Sequence, residues 1–171
     1  ASFEKSFNSI LARLSKSAVR AQLPIGEEEN HEGAVDLLTR TAYRYEGAMG
    51  EIVVPGEIPE NMKADVEKYR SEFIEAIVAT DEALMNAYLE GNEPDLAVLK
   101  ATLRNAVIKN YIFPVYCGSA LKNKGVQLVL DAVVDYLPSP LDMPPMHGIN
   151  PDNDEDITRA ASDKEPLSAL A

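Results

Sequence analysis

The sequence predicts an α/β fold carrying an α+β insert, and three patterns predict it. Apolar and polar residues alternate between Ala18 and Val54, punctuated by Gly26, Gly33, Gly47 and Gly50, the period and turn chemistry of a small antiparallel sheet. Three helical stripes follow between Pro59 and Val107, enough to cover one face of such a sheet. Then Tyr111 to Cys117, YIFPVYC, runs almost unbroken and apolar into the loop GSALKNKG and a further helical pattern. A strand buried on both faces and feeding a helix is the mark of a parallel sheet.

Each element has its own signal. Ser2 to Ser15 is expected as a helix, because Phe3, Phe7, Ile10, Leu11 and Leu14 share one face. From Ala18, the residues Val19, Ala21 and Leu23 alternate as in one half-buried strand ending at Pro24 and Gly26. Gly33 to Leu38, Thr41 to Tyr45 and Glu51 to Val54 are expected as further strands. Pro59 opens the next helix, with Met62, Val66, Tyr69, Phe73 and Ile77 as its stripe. Thr80 is placed to cap a second helix bearing Leu84, Tyr88 and Leu89, which Gly91 ends. Pro94 starts a third, buried along Leu96, Leu99, Leu103 and Val107. After the loop, Val126, Leu130, Val133, Val134 and Leu137 are expected to pack inward on a well-buried helix. Pro138, Pro140, Pro144 and Pro145 then stiffen an extended exit, followed by the acidic PDNDED and a final LSALA that reads as an incomplete strand. The resulting division is 1–17, a helix; 18–110, the insert; 111–137, the strand and helix; and 138–171, a linker and the start of a second domain.

Composition narrows the chemistry. The net charge of −12, from 28 acidic and 16 basic residues, repels phosphate backbones and favours a basic protein partner over direct nucleic-acid binding. Cys117 is the single cysteine, so an internal disulfide and a thiolate metal cage are both excluded. His31 and His147 lie far apart and in no metal-binding spacing, and both read as surface residues. No apolar run approaches the ~20 residues needed to cross a bilayer, and ASFEKSFNSILARL lacks the features of a secretory signal. A cytosolic or organelle-matrix location is the expectation.

Phosphoryl-transfer parts are missing. The chain has no G-x-x-x-x-G-K-[ST], no Gly-Lys pair and no Asp-x-x-Gly, and Asn123-Lys124 runs into Gly125-Val126 where a guanine-reading N-K-x-D needs Asp. No Ser/His/Asp or Cys/His set is available, and no catalytic residue is assigned. What remains is the Ser119-Ala120-Leu121 turn. It is positioned after the strand to present backbone N–H groups at the carboxyl edge of the sheet, where ligands of open α/β sheets bind.

The run GSALKNKGVQLVLDAVVDYLPSPLDMPP closely resembles the end of the GTPase domain of elongation factor G, the ribosomal translocase. The resemblance extends to QLPIG at Gln22 to Gly26 and DEALMNAYLEG at Asp81 to Gly91; ASFEK resembles the residues after that family's N-K-x-D, and LSALA the first strand of its second domain. It implies the C-terminal part of a P-loop-type GTPase domain. Ser119, Ala120 and Leu121 would be the guanine side of the pocket, Ala120 N–H contacting the guanine oxygen and Ser119 supporting the Asp of N-K-x-D. The whole protein would bind GTP or GDP with magnesium, and couple GTP hydrolysis to tRNA and mRNA movement on the ribosome, in the cytoplasm or mitochondrial matrix. This chain, without the phosphate loop, is expected to be inactive and to hold no nucleotide or metal alone. One loop contact is worth roughly 1 kcal/mol, against ~8 kcal/mol for micromolar binding.

The resemblance also implies that the insert meets the C-terminal domain of the ribosomal stalk protein. Asp65, Glu72 and Glu75 fall on a side of the first insert helix turned away from its apolar stripe, with Glu67 nearby and Lys68 and Arg70 interrupting the acid. The alternatives are an acidic interaction module with no nucleotide role, or a ribosome recycling or protection relative of the translocase. Asp152, Asp154, Asp156 and Asp163 imitate the spacing of a calcium loop, but Ile157 stands where its sharp turn needs Gly. Glu27 to Glu29 read as a solvated turn.

Overall fold

A computed structural model of the chain describes residues 2–150 and 153–167. The chain divides into two compact units, Ala1–Leu137 and Pro138–Ala171.

The first unit opens with α1 (Phe3–Arg13), whose Phe7 is buried and stacks with Phe3, ring centroids 6.2 Å apart. The segment expected as one strand from Val19 to Leu23 is two. β1 (Ala18–Arg20) and β2 (Gln22–Ile25) belong to different sheets, and buried Ala21 is the pivot. Its N–H donates to the Val115 carbonyl at 3.0 Å, and its own carbonyl accepts the Leu37 N–H at 3.0 Å. In the sequence the apolar residues Val19, Ala21 and Leu23 alternate straight through this pivot, although Ala21, Gln22 and Leu23 are all buried, so the change of partner is invisible to periodicity.

β3 (Gly33–Asp36), β4 (Thr41–Glu46) and β5 (Ile52–Gly56) complete an antiparallel sheet in the order β2-β3-β4-β5. This sheet therefore starts at Gln22, not at Ala18. α2 (Lys63–Val78), α3 (Glu82–Leu89) and α4 (Leu96–Ile108) follow. The caps are Asp81, whose Oδ1 accepts the Leu84 N–H at 3.1 Å, and Asp95, accepting from Val98 at 2.9 Å. Thr80, expected as a cap, instead donates its hydroxyl back to the Ile77 carbonyl. A carboxylate is a stronger partner for the exposed N–H groups of a helix end. The core lies here. Val35, Leu37, Val66, Phe73, Ile74, Ile77, Val78, Leu99 and Leu103 are all essentially inaccessible to solvent, each contributing roughly 1.5–3 kcal/mol by its burial.

β6 (Phe113–Val115) pairs in parallel with β1, Val19 opposite Pro114. Phe113 N–H donates to Ser17 and Val115 accepts from Ala21, so the residue between them, Pro114, turns its missing donor to the other edge. That is how the strand accommodates a proline. α5 (Val126–Tyr136) corrects the expectation of a well-buried helix. Tyr136 is buried, but Leu130, Val133, Val134 and Leu137 are exposed, Val134 at 78%. Two three-residue strands cannot cover an eleven-residue helix, and its remaining apolar side faces outward.

In the second unit the expected extended exit contains a hairpin, β7 (Met146–Ile149) antiparallel to β8 (Asp156–Arg159). Before it, Ser139 N–H donates to Asp142 Oδ2 at 2.7 Å. Pro144, Pro145 and the acidic stretch mask these strands in the sequence. Of the expected LSALA strand, all but an exposed Leu167 lies outside the described residues. Among the described residues no helix is long and apolar enough to cross a membrane.

Candidate functional site

The loop after β6 is a closed turn. Ser119 N–H donates to the Lys124 carbonyl at 2.8 Å and Lys124 N–H returns to Ser119 at 3.0 Å; inside this bridge Asn123 N–H donates to Ala120 at 3.1 Å. Asn123 and Gly125 both adopt positive φ, 49° and 87°, the left-handed conformation that Gly and Asn adopt at least cost. A Cβ on Gly118 would stand 2.6 Å from the Lys124 carbonyl oxygen, so only glycine lets the loop close.

The sequence-derived residues Ser119, Ala120 and Leu121 sit together at this turn. The Ser119 N–H is engaged with Lys124. Ala120 and Leu121 are exposed, Leu121 at 93%, and their N–H groups have no hydrogen-bond partner among the described residues. These two N–H groups are available to an acceptor from outside. A cavity of about 400 Å³ borders Ser119 and runs between α1, the β2–β3 turn and the end of β6.

The loop is held in place by residues that sequence reasoning missed. Lys124 Nζ donates to the His31 carbonyl at 2.7 Å. Gln22 Oε1 accepts the Cys117 N–H at 3.4 Å, and Gln127 Nε2 donates to the Gly50 carbonyl at 3.3 Å. Gly50 lies so close that a Cβ there would come within 2.6 Å of the Lys122 carbonyl oxygen. His31 is not the surface residue expected: it is buried, with Nε2 unpartnered. Burial pushes its pKa below 6.5, a hydrogen bond with the Gly26 main chain opposes this, and the Lys124 charge adds to the lowering. Burial also pushes the Cys117 thiol up to about 12, so it stays protonated and unreactive.

The second set, Asp65, Glu72 and Glu75, is exposed on the outer side of α2. Lys68 lies among them, its Nζ 4.9 Å from the Tyr69 ring centroid. Arg70 does not interrupt the acid as expected, because it turns inward. It is buried against Glu93, to which Nη1 and Nη2 both donate, and that contact holds the Glu93 carboxyl below its usual range. Glu67 pairs with Arg40 at 2.9 Å.

Glu72 also reaches Arg20 Nη1 at 3.8 Å. That guanidinium lies between the rings of Phe7 and Tyr69, 3.9 and 4.4 Å from their centroids, and donates twice to Glu4, at 2.8 and 3.3 Å. It fastens α1 to α2. Nothing in the sequence marks it, because its partners are 16 and 52 positions away. Among the described residues no three His, Cys, Asp or Glu side chains converge to hold a metal; Asp152 of the imitation calcium loop lies outside those residues.

No family model matches the chain. It is similar to a solved structure, the crystal structure of ttk003000868 from Thermus thermophilus, with a TM-score of 0.73 and 29% sequence identity over 85% of this chain. The match covers 22% of that protein, so this chain spans about a fifth of the length of the protein it resembles. The mixed α/β architecture, with its small antiparallel sheet and helices, recurs as a segment of a larger chain.

Proposed function

We propose that this chain forms the guanine-side end of the P-loop-type GTPase domain of a translational GTPase of the elongation factor G kind, together with an inserted subdomain that docks on the ribosomal stalk. The carrying observation is the Ser119–Leu121 turn at the carboxyl end of a parallel strand, with the Ala120 N–H exposed and unbonded. A donor in that position suits a purine carbonyl oxygen. GSALKNKGVQ and the similarity to part of a larger protein support the same reading. The residues of this chain fit the base end of a nucleotide alone, for they include no Gly-Lys loop for phosphates. Magnesium and hydrolysis therefore belong, in this proposal, to the rest of the protein, which would use GTP to drive movement on the ribosome.

The test is an NMR titration of the isotope-labelled chain with the C-terminal domain of the stalk protein and, separately, with GDP. The stalk domain is expected to shift amides around Asp65, Glu72 and Glu75 saturably, and replacing the three acids by Lys should abolish the effect. GDP is expected to show no saturable shift below the millimolar range, since one or two loop contacts supply roughly 1–2 kcal/mol. Unchanged stalk affinity in the Lys variant removes α2 from the contact. Tight GDP binding overturns the half-pocket.

A further inference from the structure

The tip of the loop after β6 has no packing of its own. Ala120, Leu121 and Lys122 are all exposed, and segments without buried contacts open at the least cost. The bridge between Ser119 and Lys124 closes the turn. By itself that bridge fixes the shape of the turn and not the direction in which it points.

The direction is set from the insert, on two sides. On one side the Lys124 ammonium donates to the His31 carbonyl of the β2–β3 turn at 2.7 Å. That partner is 93 positions away, so the tie exists only when the insert is folded. On the other side the β4–β5 turn lies against the main chain of the loop. Gly50 there is buried at φ 64°, and a Cβ on it would stand 2.6 Å from the Lys122 carbonyl oxygen and 3.1 Å from that of Asn123. So close an approach admits only glycine, and the two turns form a seat fitted to the loop backbone.

Both constraints meet in Lys124. Its main chain exchanges two hydrogen bonds with Ser119, at 2.8 and 3.0 Å, while its side chain crosses to the insert. A charged donor on a carbonyl is among the stronger hydrogen bonds, and this one is half-buried, where water competes less. Removing the ammonium would leave every main-chain partner in place and the turn untethered.

We propose that Lys124 is a positioning residue, through which the insert sets where the Ala120 and Leu121 N–H groups point. The assignment rests on the guanine-side reading of this loop, and adds that the insert is part of the base site and not only a platform for a partner.

Amide hydrogen exchange and imidazole titration by NMR, on the isotope-labelled full chain and its Lys124→Met and Lys124→Arg variants, test this. In Lys124→Met the Ser119 and Asn123 amides should exchange about tenfold faster, the loss of one charged hydrogen bond, and the Ala120 and Leu121 amide signals should shift, with α4 unchanged. Lys124→Arg keeps a charged donor and should restore most of the protection. The Lys124 charge helps to lower the His31 pKa, so that pKa should rise in Lys124→Met and stay low in Lys124→Arg. Unchanged exchange at Ser119 and Asn123 would show that the turn holds itself, and an unmoved imidazole would place Lys124 away from His31. Equal acceleration in the loop and in α4 would show a general loss of stability. Each of these three results overturns the assignment. No nucleotide enters the experiment, so its failure leaves the guanine-side reading standing, and the GDP titration tests that reading by itself.

Discussion

Lys124 and His31 illustrate how a side chain acts through its surroundings. The imidazole is buried, its pKa lies below 6.5, and the ammonium that grips its own carbonyl helps to keep it there. The unfolded chain takes up a proton near 6.5 that the folded chain resists. Stability is therefore whole above that pH and falls as the pH drops toward the folded pKa. His31→Gln removes this titration. Between about pH 7.5 and about pH 5.5 the wild-type urea midpoint should fall further than that of the variant, the carboxylates being common to both. Equal falls would mean that His31 does not titrate differently on folding. The residue was illegible beforehand because Asn30 and Glu32 flank it and two of its near neighbours are Glu28 and Glu29. A polar neighbourhood in sequence says nothing about a fold that closes over it. Ser119-Ala120-Leu121, by contrast, was legible as a turn, because Gly118 and Gly125 bracket it and only glycine permits those close approaches.

Among elements, helices announced themselves better than strands. The stripes of α2 and α4 set Val66, Phe73, Ile77, Leu99, Leu103 and Val107 inside, as a 3.6-residue period requires, whereas Leu96, expected inside with them, is 44% exposed at the first position of α4. The division between β1 and β2 did not show, since period 2 fixes which face a residue takes and not which strand lies beside it. Nor did the join of α1 to α2. Arg20 makes that join with two hydrogen bonds to Glu4, a longer contact to Glu72 and two aromatic faces. Arg20→Met keeps the stem and removes the charge. It should cost about 1–3 kcal/mol in urea unfolding, reduced from a fully buried pair because Glu4 is half open to water. Hydrogen exchange in α1 should quicken more than in α4. Uniform acceleration would show that Arg20 supports the whole unit and not this one junction.

For the molecule as a whole, apolar character and burial part company. The core belongs to the four-stranded sheet with α2 and α4, while α5, as apolar as any helix here, keeps Leu130, Val133 and Val134 outside. A sequence shows which side of a helix is apolar; it does not show how much surface will be there to meet it. Leu103→Ala should cost about 2–5 kcal/mol, whereas Val134→Lys should stay within about 0.5 kcal/mol of wild type, both measured by urea unfolding. A large cost for the lysine would place α5 in the core after all. Finally, the outer rim of β6 has a bearing on polymerisation. A bare strand is a template on which other chains add, and fibrils grow by repeating that step. Here the middle residue of the rim, Pro114, has nothing to donate. An arriving chain would meet a gap at the centre of its ladder, so the rim discourages fibril growth while the loop beyond it stays open to smaller visitors.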